Sequence, residues 1–234
     1  MTRQILILIL FLASALAASA LNCGTVAAPG TCVLNVGGQV QYTFTNFQLV
    51  SSSASGTDAV SGADITINAN SGLNLSAVLS FDKVVTGGNP NSVFLANASD
   101  TNNFIFSYGV SIAPLTPGTV LFINPAEVDI VQRSTAGNGF GSVQFSMPSA
   151  PACQATTTNQ NDVCTLPAGV TDSMPSVGNI VVLSGNTGNV SIGVFTNTFN
   201  ASFTADQPSG VPEPSTYALI GAGLGAIYTM RRRR

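Results

Sequence analysis

Apolar and polar residues alternate along most of the chain, in short runs. Between Val40 and Val50 the apolar positions Val40, Tyr42 and Phe44 fall on one face, and the phase then switches near Asn46 and Phe47. A phase change inside one run predicts a bulge or bend. Ala63–Ala69 alternates around Ile65 and Ile67. Leu73–Phe81 places Leu73, Leu75, Ala77, Leu79 and Phe81 on one side, and Phe104–Ile112 does the same with Phe104, Phe106, Tyr108, Val110 and Ile112. The style continues through 126–132, 141–147, 179–184 and 189–203, with Gly, Pro, Asn and Ser between the runs. No stretch between residues 21 and 210 sustains a 3.6-residue apolar period over three turns. The pattern predicts an all-β fold, an antiparallel β-sandwich, with a jelly roll or closed barrel as the alternative.

Residues 146–179 break the pattern, with several prolines and little alternation. They read as a long excursion of one sandwich, or alternatively as a linker between two domains.

The ends follow other rules. The chain opens with Arg3, runs apolar from Ile5 to Leu16 and reaches Ala18-Ser19-Ala20, a small-x-small pattern. This predicts a signal peptide over residues 1–20, cut after Ala20 with Ala17 as second choice; an uncleaved anchor is the alternative. Asn22, directly before Cys23, does not suit a lipoprotein signal. From Thr216 to Met230 run fifteen uncharged residues, followed by Arg231, Arg232, Arg233 and Arg234. A helix of that length reaches about 22 Å, short of a ~30 Å hydrocarbon core. Tyr217 and Tyr228 suit the interface, and the arginines can extend to cytoplasmic headgroups. Residues 216–234 are therefore expected to form a transmembrane helix with a basic tail inside, with Gly221 and Gly225 allowing close helix approach. Residues 207–215 are then a linker, and 21–206 the secreted domain.

Charge narrows the function. Nine acidic and two basic residues (Lys83 and Arg133) lie between Leu21 and Asp206, a formal charge of −7 against −3 for the whole chain. Such a surface repels phosphate backbones and argues against nucleic acid as a partner. Ser, Thr and Asn make up about a third of this region, a composition that suits a hydrated, folded, exported domain.

Four cysteines and no histidine limit the chemistry. Export permits disulfides, and the short loops favour Cys23–Cys32 and Cys153–Cys164 among three connectivities. The spacings do not suit zinc. Without histidine, Ser-His-Asp and Cys-His sites cannot be assembled. Glu127 and Asp129, two apart on a strand, point the same way; a glycosidase needs carboxyls across a substrate, so a solvated strand face is the plainer reading. No catalytic residue and no cofactor is expected, although Asp58, Asp64 and Asp162, in loops rich in Asn and Gly, could offer oxygen ligands to a structural calcium ion. Asn74, Asn97, Asn189 and Asn200 open Asn-x-Ser/Thr triplets, which permit glycosylation without arguing for it.

The ending combines Val211-Pro212-Glu213-Pro214, the apolar segment and Arg231–Arg234. It resembles the PEP-CTERM sorting signal of Gram-negative bacteria, a tail also described as an ice-binding-protein C-terminal domain. The resemblance covers about a tenth of the chain. It implies export, transient anchoring in the inner membrane, and recognition of the Pro-Glu-Pro region by an exosortase that releases the body to the envelope or the extracellular space. It also implies association with exopolysaccharide and biofilm. Proline on both sides of Glu213 keeps the segment extended and outside the following helix. The expected protein is a non-enzymatic envelope or matrix component whose partners are the export machinery, the exosortase, the membrane and polysaccharide. A carbohydrate-binding module, less readily an ice-binding one, and a carboxylate-based hydrolase are the alternatives.

Overall fold

The computed structural model describes residues 20–54, 58–72, 74–85, 93–115, 120–148, 150–165 and 173–204. The expected signal peptide up to Ser19, the linker and the transmembrane helix lie outside the described residues. The chain contributes β1 (Leu21–Thr25), β2 (Cys32–Val36), β3 (Val40–Ser52), β4 (Ile65–Ser71), β5 (Ser76–Lys83), β6 (Phe94–Ala96) and β7 (Thr101–Pro114). It continues with β8 (Val120–Ala136), β9 (Phe140–Ser146), β10 (Cys153–Thr156), β11 (Asn161–Cys164), β12 (Ser173–Ser184) and β13 (Asn189–Thr204). A 3-10 turn at Gly62–Asp64 leads into β4.

Two antiparallel sheets result. One runs β1-β4-β5-β13-β8-β11, with β6 continuing the β5 side of β13; the other runs β10-β9-β12-β7-β3-β2. They pack through aromatic rings. Phe81 of β5 stacks on Phe195 of β13 at 4.9 Å, and both reach Phe106 of β7 at 5.8 Å. Phe199 meets Phe44 and Phe145 of the opposite sheet, each at 5.8 Å. Each such ring, fully buried, contributes roughly 1.5–3 kcal/mol. The closed-barrel alternative does not hold. The edge strands β1, β2, β10 and β11 are four or five residues long, and no ladder joins the sheets among the described residues.

Covalent bonds stand where a ladder would. Cys23 of β1 is bonded to Cys32 of β2, with Cα atoms 5.0 Å apart, and Cys153 of β10 to Cys164 of β11, at 5.4 Å. Each disulfide thus ties an edge of one sheet to the matching edge of the other.

The phase switch in β3 is a bulge. Thr45 pairs with Gly109 and Gln48 with Ser107, so Asn46 and Phe47 together oppose Tyr108, and Asn46 takes a positive φ of 56°. Asparagine tolerates that conformation, and the extra residue returns Phe47 to the core. Three expectations are corrected. Leu75 does not extend β5: Asn74 and Leu75 both have positive φ and form the turn of the β4–β5 hairpin. Residues 146–179 contain β10, β11 and the first half of β12, which passes Pro175 at a register shift between Met174 and Val177, where a ladder donor is not needed. Ala63 belongs to the 3-10 turn and β4 starts at Ile65.

The core also holds polar groups. The Tyr108 hydroxyl and the Asn179 Oδ1 accept hydrogen bonds from Asn197 Nδ2 at 2.7 and 2.9 Å, bridging the sheets at fully buried positions. The Tyr42 hydroxyl is shared between the carbonyls of Leu75 and Phe199 at 2.7 and 2.9 Å. Burial pushes the titration of both tyrosines far up, so they stay neutral donors and acceptors.

Phe195→Ala removes a ring that touches Phe81, Phe94 and Phe106. Urea unfolding is expected to show a loss of about 3–5 kcal/mol, whereas Val131→Ala, at an exposed position, should stay within about 0.5 kcal/mol.

Candidate functional site

Residues that alternate with the core face outward, and on the seven-stranded sheet the registers align them into rows. Asn22, Asn68, Ser80, Thr196, Asp129 and Asn161 are successive cross-strand partners from β1 to β11. The next row holds Asn70, Val78, Thr198, Glu127 and Val163. With strands ~4.8 Å apart, the first row spans about 24 Å of hydroxyl, amide and carboxylate groups. The face is screened at its centre and open at its ends: Thr196 is buried, Asn68, Ser80 and Asp129 are half-buried, and Asn22 and Asn161 are exposed. Ser80 Oγ donates to the Asn68 carbonyl at 3.2 Å, which locks neighbouring strands on this face.

Glu127 and Asp129 sit within these rows. Asn200 Nδ2 donates to Glu127 Oε1 at 3.3 Å and to the Pro125 carbonyl at 3.0 Å. Partial burial raises the Asp129 carboxyl above the usual carboxylate range and nearby Glu127 adds to the rise, while the Ile130 amide opposes it. The two carboxylates stand side by side on one strand and do not oppose each other across a cleft.

The other candidate carboxylates divide. Asp162 Oδ2 accepts from the Gln154 amide at 2.8 Å and joins β11 to β10. Asp58 and Asp64 are buried together with Lys83, whose ammonium feels both carboxylates, Asp64 the more strongly. At Asp58 and Asp64 the protein's own cation therefore supplies the charge that a calcium ion would bring. Among the described residues no three or more metal-capable side chains gather.

An open groove of about 480 Å³ lies where the first disulfide loop meets the β3 bulge, lined by Val26, Ala27, Pro29, Phe47, Leu49 and Gly62. It carries no titratable side chain. Of the triplet asparagines, Asn74 is exposed in the β4–β5 turn. Asn97 Nδ2 donates to Asp58, Asn189 Oδ1 accepts from the Ala98 amide, and Asn200 is held as described.

The remaining candidates are at the ends. Ala20 is exposed immediately before β1, while Ala18, Val211, Pro212, Glu213, Pro214 and Arg231–Arg234 lie outside the described residues. Comparison with known families falls on that tail: the PEP-CTERM protein-sorting motif matches residues 210–234. The chain carries a PEP-CTERM sorting motif. No curated protein and no solved structure matches the chain. The PEP-CTERM match thus begins after the last strand of the sandwich, which ends at Thr204. Among the described residues no helix is long and apolar enough to cross a membrane.

Sequence reasoning missed the polar rows, because register is a property of the assembled sheet. It also missed Lys83. The signal was present: Lys83 continues the inward series Ala77, Leu79 and Phe81.

Asp129 couples stability to pH. Its folded-state pKa lies above the unfolded one, so the folded chain binds the extra proton and loses stability as pH rises through that interval. Asp129→Asn should therefore raise the melting temperature at pH 7, and this gain should vanish at pH 3, below the unfolded value of about 3.9. Thermal unfolding at the two pH values checks it.

Proposed function

We propose that this is an exported protein that is held briefly in the inner membrane by its PEP-CTERM tail and processed by an exosortase near Pro212-Glu213-Pro214. The match over residues 210–234 carries this reading. The four arginines set the tail's cytoplasmic end, and the residues before it are delivered outward. Two disulfides support delivery to an oxidising compartment. The sandwich then serves the envelope or extracellular matrix without catalysis of its own.

Within that setting the polar face of the seven-stranded sheet is the surface that contacts polysaccharide. Sugar hydroxyls both donate and accept, and rows of Asn, Ser, Thr and Asp answer both roles. A carbohydrate-binding module is accordingly the favoured specific version. Ice binding wants a regular threonine array, whereas Thr196 and Thr198 both belong to β13 and their row partners are other residues. The hydrolase reading receives no support from carboxylates that share one strand.

Two experiments test the proposal. Deleting Val211–Arg234 should shift the protein from the membrane fraction to the soluble exported fraction; an unchanged distribution would overturn the sorting role. The double variant Asn68→Ala/Thr198→Ala should weaken retention on exopolysaccharide from the producing cells about tenfold, from two hydrogen bonds at roughly 0.5–1.5 kcal/mol each. Equal retention would remove the face from the account.

A further inference from the structure

The buried charges at one end of the core have no part in sorting or in the polar face. Lys83 closes the inward series of β5 and is 2% exposed. It pairs in register with Ile65, so Asp64 adjoins its cross-strand partner, and the Val84 amide donates to the Asp64 carbonyl at 2.9 Å. Asp64 and Asp58 are 5% and 7% exposed. Asp64 Oδ2 accepts two hydrogen bonds from Ser61, from its amide at 2.8 Å and its hydroxyl at 3.0 Å. Asp58 Oδ2 accepts from Asn97 Nδ2 at 3.2 Å, which orients the second carboxyl. Burial weakens the hold of Lys83 on its proton, against the pull of Asp64 and then Asp58.

One amine and two carboxyls, enclosed, with the carboxyls oriented by Ser61 and Asn97, have the composition needed for a condensation. We propose that Lys83 Nζ and Asp64 Cγ join in an intramolecular isopeptide bond, with Asp58 carrying the proton. The ammonium first passes one proton to the Asp64 carboxylate, leaving a free amine and a neutral acid. Nζ attacks Cγ, and the oxygen that becomes negative remains on the Ser61 amide and hydroxyl donors already aimed at it. Asp58 accepts the second Nζ proton and returns it to the departing hydroxyl. The C–O bond breaks, the N–C bond forms and one water leaves; no oxidant or cofactor is consumed. The step replaces a desolvated ammonium and carboxylate, expensive to keep inside a protein, with a neutral amide. It also fastens the start of β4 to the end of β5.

Peptide mapping of the purified full-length protein by tandem mass spectrometry tests the bond. The expected result is a branched peptide joining the Lys83 and Asp64 segments, lighter than their sum by the mass of one water. Lys83→Arg keeps the charge without the nucleophile and should give only linear peptides, as should Asp58→Ala, with the strand signal of each retained in circular dichroism. Linear Lys83 and Asp64 peptides from the folded wild-type protein would overturn the proposal. So would a water-mass deficit located at any other residues. Should the variants fail to fold, the wild-type map decides alone.

Discussion

Two open sheets leave four edges, and this sandwich depends on how those edges are closed. An edge strand presents unpaired donors and acceptors and invites pairing with another chain. Here the edges are the short strands β1, β11, β10 and β2, of five, four, four and five residues, while central β8 and β13 run to 17 and 16. The two disulfides link β1 to β2 and β10 to β11, one on each side of the sandwich, and all four cysteines are buried. Short bonded loops cost little entropy to close and hold the sheets in register where hydrogen bonds do not. The arrangement requires an oxidising destination, and the PEP-CTERM tail is consistent with one.

Between the edges, aromatic burial binds the sheets and a few polar contacts align them. Asn197 bridges to Tyr108 and Asn179 across the interface, and Asn179 Nδ2 and Asn197 Oδ1 find no partner among the described residues. A hydrophobic replacement would pack there without specifying which strand faces which. The same alternation that buries Phe195 and Phe199 in the core puts Thr196 and Thr198 on the opposite side of β13, where Thr196 is covered and Thr198 half-exposed, so the core and the polar face are two consequences of one pattern.

Legibility followed length and locality. β3, β7 and β13 are long enough for period-two alternation to emerge, and the β3 bulge shows as a change of phase. The edge strands are too short to carry a period, and in β10 and β11 they stand among Thr, Asn and Gln that also suit loops. Pro125 and Pro175 hid the starts of β8 and β12, because proline argues against a strand until a bulge is seen to accommodate it. Leu75 looked apolar and inward, but the turn required two left-handed residues after Ser71. Among site residues, the tail motif was readable because its parts are consecutive. The cross-strand rows and the Lys83 cluster were not, because they join separate strands through their register, as Ser80 with Thr196.

The proposed role requires a sandwich delivered outward and separated from its tail. Mapping both termini of the mature protein, from cells with and without the exosortase, tests this most directly. The mature protein should start at Leu21 and end near Pro212–Pro214 with both disulfides intact, retaining Arg234 only where the exosortase is missing. A mature, exported protein that still ends at Arg234 in exosortase-competent cells would contradict it.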